Sequence, residues 1–437
     1  MTKVTLIGAG SVEFTAELVA GILRFPELAD VTIALHDIDE ERLSTAGAVA
    51  RAMNDALGAR SKVEEHLDRR RALAGAGHVI STIRVGGHAG LTLDFAIPAR
   101  YGVRQTMGDT LGPGAISRGL CTIPALLEIC RDIADVCPDA WVYNFTNPMA
   151  ILCWAIYDGT PVNRVVGLCR SIENTAGELA EMAGVAFENV TFDGAGLNHQ
   201  AWILRLESDG ESLYPRIDEA IAADPEGLGR RVRVEAYRRL GYFPSESSEH
   251  FADLVPWFLP HADQVERYRI QIDDYLHRSE RNLARYAAVR RALDAGEPLE
   301  VPDWMEYAPE IIHSVETGTP RRVFANVRND GLIDDLPVGC CVEVPCLVDA
   351  EGIRPQSVGS LPAQLAALNR TYVNVAELTV RAALKQDARS VEQAALLDPN
   401  TSATLAPDQI VAMIRELVLA HAGSIAPGIV DGVRNAR

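Results

Sequence analysis

The chain has 437 residues, 48% of them apolar and 23% charged, with a formal net charge of −19. That composition excludes extensive disorder, and the acidic balance with no basic run argues against a nucleic-acid partner. No apolar run of about twenty residues is available to span a bilayer, and the N-terminus enters a strand at once instead of a basic, apolar leader, so a cytoplasmic protein with no membrane partner is expected.

From Lys3 to about Gly167 short apolar runs alternate with helical stretches, which predicts an α/β fold built on a parallel, doubly wound sheet. Strands are expected at Val4 to Ile7, Val31 to Leu35, His78 to Ile83, Trp141 to Phe145 and Val165 to Leu168. Between the first two, Phe14, Leu18 and Ile22 recur at helical spacing. Past Thr191 the pattern changes to longer helical stretches, Arg230 to Leu240, Val265 to Ala295 and Leu361 to Lys385, interrupted by a strand-like run from Cys340 to Pro345. The length prior and this change of pattern divide the chain into an N-terminal nucleotide-binding domain over 1–168 and a helix-rich α/β catalytic domain over 169–437.

Gly8-Ala-Gly10-Ser11 follows the first strand and opens the first helix. Two glycines there allow a tight turn and let a pyrophosphate approach the backbone at a helix N-terminus. The third position of the usual pattern is Glu13, so the fingerprint is incomplete. Asp37, ending the second strand, is placed to accept hydrogen bonds from a ribose and favours NAD over NADP, whose 2′-phosphate it would repel. A plain strand-turn-helix is the alternative.

The later strands end in polar groups. Thr82 and Arg84 close one, where a cation could hold a phosphate or a sugar, although an exposed arginine is the commoner fate. The run Gly108-Asp109-Thr-Leu-Gly112-Pro-Gly114 puts a carboxylate at the head of a loop able to approach a ligand closely; a surface loop is the other reading. Asn144 and Asn147 offer carboxamides to hydroxyls or a nicotinamide, or else Asn147 merely caps the next helix.

The eight cysteines show no C-x-x-C pair and no regular spacing, which excludes a zinc ribbon and a disulfide framework. Cys169 stands apart because it ends a strand. With His199, in Gly-Leu-Asn198-His199, it could supply a thiolate and an imidazole to one divalent cation and leave coordination positions for substrate oxygens. Taken singly, each residue is more often part of a core.

Taken together, these stretches resemble the family 4 glycoside hydrolases. The matching runs are Gly8-Ala-Gly10-Ser11, Thr82-Ile-Arg84-Val-Gly-Gly, Gly108-Asp109-Thr-Leu-Gly-Pro-Gly, Asn144-Phe-Thr-Asn147-Pro-Met, Val-Gly-Leu-Cys169, Gly-Leu-Asn198-His199, Gly241-Tyr-Phe-Pro-Ser-Glu246-Ser-Ser-Glu249-His250 and Cys341-Val-Glu343-Val-Pro, in the family's order across nearly the whole chain. The run ending in Glu249-His250 resembles the α-galactosidase and α-uronidase branch more than the 6-phosphoglycosidases. The resemblance implies a Rossmann domain that binds NAD through Gly8, Gly10 and Ser11, and a catalytic metal, usually manganese, on Cys169 and His199. It also implies hydrolysis of an α-glycoside by transient oxidation at sugar C3, removal of the C2 proton, departure of the aglycone, addition of water and re-reduction, an exception to two-carboxylate glycosidases.

Asp109, Glu246 and His250 are the acid and base candidates, with Tyr242 and Asp253 in the same segment as the last two. Arg84, Asn147, Arg170 and Asn198 are the substrate-binding candidates, and Thr82, Asn144 and Asp37 join the glycine turn at the cofactor. Close relatives carry His, Asp or Asn where this chain has Arg170, so a uronate carboxylate is one role for that arginine and a structural ion pair the other. A homodimer or homotetramer is expected. The rival readings are a simple NAD-dependent dehydrogenase of the malate or lactate type, and a sugar-binding protein without turnover.

Overall fold

The computed structural model describes residues 2–436. Its first half is dictated by strands buried on both faces, as parallel sheets require. The strands β1 (Lys3–Ile7), β2 (Thr32–His36), β3 (Lys62–His66), β4 (His78–Ser81), β5 (Trp141–Asn144) and β6 (Val165–Gly167) lie in the order β3-β2-β1-β4-β5-β6. All five pairings are parallel, with Val4 beside Ile33 and His78, and Tyr143 beside Val166. This is the strand order of the dinucleotide-binding fold, whose ligands sit where the order reverses, outside the carboxyl ends of the strands.

The five expected strands agree with β1, β2, β4, β5 and β6 to within a residue or two. The sixth, β3, is an edge strand whose Lys-Val-Glu-Glu-His sequence is half exposed, so it lacks the apolar run by which the others are recognised. The helix Val12–Leu23 buries Leu18 and Ile22 against the sheet, as their spacing predicts.

The sheet continues past β6. Strands β7 (Thr191–Leu197), β8 (Gln200–Ser208), β9 (Glu211–Ser212), β10 (Phe243–Pro244), β11 (Arg321–Arg328), β12 (Cys341–Asp349) and β13 (Gly352–Pro355) extend it in the order β6-β11-β12-β7-β8-β10. The added pairings are antiparallel, and Asn326 on β11 meets Gly167 while Glu343 on β12 meets Gly196. The strand-like run from Cys340 is β12, and the stretches read as Arg230 to Leu240 and Leu361 to Lys385 are the helices Val232–Leu240 and Ala363–Lys385.

One expected helix is corrected. The stretch from Val265 to Ala295 divides into Ala262–Arg267 and Asp274–Asp294, separated by left-handed Arg269 and Asp273. The break has a local cause: the Asp273 and Tyr275 N–H groups donate to the Gln105 and Thr106 carbonyls, which docks the start of the second helix on the loop that leads to Asp109. Among the described residues no helix is long and apolar enough to cross a membrane.

Candidate active site

The first strand ends in a turn that only glycine can make. Gly8 has φ +88°, and a Cβ there would lie 3.0 Å from the backbone of Thr82 and Ile83 on β4's C-terminal extension. Ser11 stands at the N-cap of Val12–Leu23 with no side-chain cap bond, leaving its hydroxyl and the helix N-terminus available to an anion. Asp37 accepts from Gly10 N at 2.7 Å and Asp39 N at 3.0 Å, so the carboxylate is fixed against the turn, and a Cβ on Gly10 would lie 2.6 Å from it. The Thr82 hydroxyl donates to Gly8 O at 3.0 Å, bracing the turn from the neighbouring strand.

A second group of side chains converges next to β6. Cys169 follows that strand directly, and His199 sits in the two-residue turn between β7 and β8. Their Sγ and Nε2 atoms are 3.7 Å apart. Two donors on one ion leave such a gap when each bond is about 2.0–2.3 Å long.

The ring of His199 is held from behind. Thr110 Oγ1 is 2.6 Å from His199 Nδ1 and donates its own proton to Asp109 Oδ1 at 2.8 Å. Having given its proton to the carboxylate, Thr110 receives the Nδ1–H of the imidazole. This leaves the Nε2 lone pair facing Cys169, the tautomer a metal ligand needs. Burial, and secondarily His250, pushes the His199 pKa down to about 4, so the ring is neutral. Burial, then Glu246, Glu343 and Glu306, pushes the Cys169 thiol well up, so without a cation beside it the group stays protonated.

Asp109 is buried at the head of the loop that was open to a surface reading; the whole run 105–117 is buried. Its Oδ2 accepts from Asn147 Nδ2 at 2.9 Å, and His250 Nε2 lies 3.6 Å from Oδ1. Burial alone would raise its pKa, but His250, His199 and Arg118 hold it below the ordinary value. Of the acid and base roles open to Asp109, this direction suits a base or an orienting carboxylate. His250 is clasped on its other nitrogen by Ser247 Oγ at 2.9 Å, and its ring meets that of His199 edge-on with centroids 4.2 Å apart.

Glu246 adjoins this group: its carboxylate, Cys169 Sγ and a His199 ring nitrogen lie within 4.8 Å of one another, and Asp109, His199 and His250 form a second such triad. Asn198 is fully buried with both amide atoms unpartnered, and Asn147 Oδ1 and Arg84 Nη2 are unpartnered as well. Buried polar atoms without protein partners are the ones that a ligand or water would satisfy.

Three sequence candidates are occupied elsewhere. The Asn144 side chain donates to Thr146 O at 2.9 Å and shapes its own turn, so it is not free for a nicotinamide. Of the two readings of Arg170, the ion pair is realised: its guanidinium bonds Glu173 at 2.6 Å, Met305 O at 2.7 Å and Glu310 at 3.3 Å, and lies 4.4 Å from the Tyr307 ring centroid. Asp253 is no free base, because its carboxylate accepts from Thr106 N, Thr106 Oγ1, Met107 N and Gly108 N at 2.8–3.0 Å and anchors the loop that presents Asp109. Tyr242 is partly buried and packs beside the Trp202 and Phe251 cluster.

Sequence reasoning missed Thr110 and Glu343. Thr110 could have been found by asking what fixes the tautomer of His199. Glu343 lies among the apolar residues of β12, fully buried with both oxygens out of hydrogen-bond geometry and the Ser171 hydroxyl beside them, and burial, then Glu246, raises its pKa well above the ordinary value.

Known proteins are similar to this chain over nearly its whole length. A model of family 4 glycosyl hydrolases matches residues 3–185, and a model of that family's C-terminal domain matches residues 194–401. An alpha-galactosidase of Bacillus subtilis (strain 168) is 38% identical over 425 residues, 96% of this chain and 98% of that protein. An alpha-galactosidase of Rhizobium meliloti (strain 1021) is 34% identical over 436 residues, 96% of this chain and 88% of that protein. A 6-phospho-beta-glucosidase from Thermotoga maritima, solved with manganese, NAD+ and glucose-6-phosphate, superposes with a TM-score of 0.80 at 23% identity, covering 97% of this chain and 99% of that one.

Proposed function

The chain belongs to family 4 of the glycosyl hydrolases and is a glycoside hydrolase, and from this premise we infer that it cleaves neutral α-hexosides, α-galactosides first, using NAD and a divalent metal, manganese in the first instance. The observation that carries the choice of a neutral sugar is the closed ion pair of Arg170 with Glu173 and Glu310. A uronate carboxylate would have to displace two carboxylates already in place, and Arg170 is the residue beside Cys169 that would recognise it. The two alpha-galactosidases among the relatives support the same reading.

In this assignment residues 1–168 carry the dinucleotide and residues 169–437 close the sugar site. Gly8, Gly10 and Ser11 receive the pyrophosphate at the helix N-terminus and Asp37 the ribose. Cys169 and His199 hold the metal, and the Thr110–Asp109 chain keeps the imidazole neutral and aimed. When bound, the two groups supply reversible hydride exchange at sugar C3 and Lewis acidity at the neighbouring oxygens, which makes the C2 proton acidic enough to leave before the aglycone departs from C1.

The chain's own task is then to move protons. His250, held between Ser247 and the ionised Asp109, is positioned to take and return one. The free amide atoms of Asn147 and Asn198 are available to sugar hydroxyls. The test is a panel of nitrophenyl α- and β-glycosides, with uronides and 6-phosphates, assayed with NAD, Mn2+ and a reductant in D2O. Turnover of the α-galactoside with deuterium incorporated at C2 is expected. Turnover confined to uronides, or hydrolysis without exchange at C2, would overturn the substrate or the mechanism respectively.

A further inference from the structure

Glu246 occupies a junction built to aim a side chain. Upstream, β10 pairs with β8, and Ser245 N continues that pairing by donating to Ala201 O at 2.8 Å. Downstream, Ser247 caps the helix Ser248–Asp253, its Oγ accepting from His250 N at 3.2 Å. Between strand and cap, Glu246 alone turns into the left-handed region at φ +69°, its N–H donating to Thr175 Oγ1 at 3.1 Å. A long side chain in that conformation carries strain that a glycine would not.

The turn delivers the carboxylate to Cys169 and His199, and His199 too is left-handed, at φ +62°. Among the described residues the Glu246 carboxylate has no hydrogen bond and no ion pair. Behind it stands the fully buried Glu343, which has no cationic partner and only the Ser171 hydroxyl beside it, outside hydrogen-bond geometry. A thiol and two carboxyls thus lie close together with no cationic side chain bonded to them, since Arg233, whose charge Glu246 feels, is bonded to Thr175 and Glu178; a cation bound among the three would offset the cost of ionising them there. His199 has just one nitrogen to offer, because Thr110 engages Nδ1. The donor set that can close on a single ion is therefore Cys169 Sγ, His199 Nε2 and a Glu246 oxygen.

We propose that Glu246 is the third protein ligand of the divalent cation, and so is not the proton-abstracting base. The proposal rests on the reading that Cys169 and His199 hold that cation. It makes the resident ion a sulfur, nitrogen and oxygen site from three elements of the fold, able to retain metal before sugar arrives, and it leaves proton transfer to His250 and Asp109.

The experiment titrates Mn2+ into chelator-treated, NAD-loaded full-length protein and follows the six-line paramagnetic resonance signal of free Mn2+. Wild type, E246Q, E246G and C169A are compared. E246Q and E246G should bind at least about tenfold more weakly, the loss that even an outer-shell partner of a metal site produces, and C169A should lose affinity as well. E246G relieves the left-handed strain, so its metal-free melting temperature should match or exceed wild type while the rise on adding Mn2+ shrinks; this keeps the test valid should E246Q fold poorly. Wild-type affinity in the Glu246 variants with loss in C169A overturns the proposal and leaves the metal reading standing. Undiminished binding in C169A overturns the metal reading itself.

Discussion

Replacing Thr110 by valine isolates the group that aims the His199 imidazole. The side chain is buried, and valine matches its shape while removing both the acceptor for His199 Nδ1–H at 2.6 Å and the donor to Asp109 at 2.8 Å. A buried imidazole N–H left unpaired costs about 1–3 kcal/mol. The ring can recover part of this by rotating or by changing tautomer, and either movement withdraws the Nε2 lone pair from Cys169. The metal affinity should then fall about 10–100-fold, the usual loss for an outer-shell partner, which corresponds to about 1.4–2.8 kcal/mol. The assay is the Mn2+ titration, with melting temperatures recorded in chelator to confirm folding. A folded T110V that binds Mn2+ as tightly as wild type would refute the relay from Asp109 through Thr110 to His199.

Three further outcomes are expected. In D253N one acceptor oxygen becomes an amide facing the backbone N–H groups of the loop before Asp109, so kcat should fall by at least about tenfold and stability by roughly 2 kcal/mol, with Mn2+ affinity retained; loss of metal binding instead would mean the loop also shapes the metal cleft. R170M breaks a pair whose arginine side chain is 11% exposed and whose glutamates are about a quarter exposed, so it should cost about 2 kcal/mol, less than the roughly 3–5 of a fully buried pair, without changing the ratio of kcat/KM on α-galactoside and α-galacturonide. A collapse of the uronide rate alone would return Arg170 to substrate recognition. Burial, opposed by the Thr401 hydrogen bonds, pushes Asp398 up to about 6. A carboxyl raised in the fold contributes stability that is fully present below its unfolded pKa near 4 and is lost as pH rises through 6. Wild type should therefore lose stability across that window, by no more than about 3 kcal/mol from this group, and D398N should show a flatter profile in denaturant titrations from pH 4 to 7.5; parallel profiles would refute the assignment.

What could be read from the sequence follows the range of the interaction concerned. The parallel strands and the first helix were legible because each buries an apolar run or stripe recognisable within a few residues. The edge strand Lys62–His66 was not, since its side chains are half exposed. The break at Tyr268–Asp273 was not legible either, because the groups that cause it are the Gln105 and Thr106 carbonyls, far away in the chain. The site divides the same way. The glycine turn and the Asp109 loop carry their signal in composition, whereas the fate of Arg170 depended on Glu310 and Met305, and that of Asp253 on backbone N–H groups of residues 106–108. A side chain's type states what it can do; its partners, brought by the fold, decide which of these it does.

The same distinction explains why the two least comfortable residues of the cleft are informative. Local propensity would place glycine or asparagine at left-handed positions, yet positions 199 and 246 carry a histidine and a glutamate. Each costs on the order of 1–3 kcal/mol of backbone strain, and neither side chain offsets it by core packing of the apolar kind. In both cases the surrounding structure supplies the restraint: the β7–β8 hairpin and Thr110 for His199, β10 and the Ser247 cap for Glu246. Two independently strained junctions that point an imidazole and a carboxylate at one cysteine are hard to explain as packing accidents, because packing would be served equally well by an unstrained turn. A divalent cation bound by all three side chains accounts for both, since its binding energy is realised only when the backbone holds those conformations.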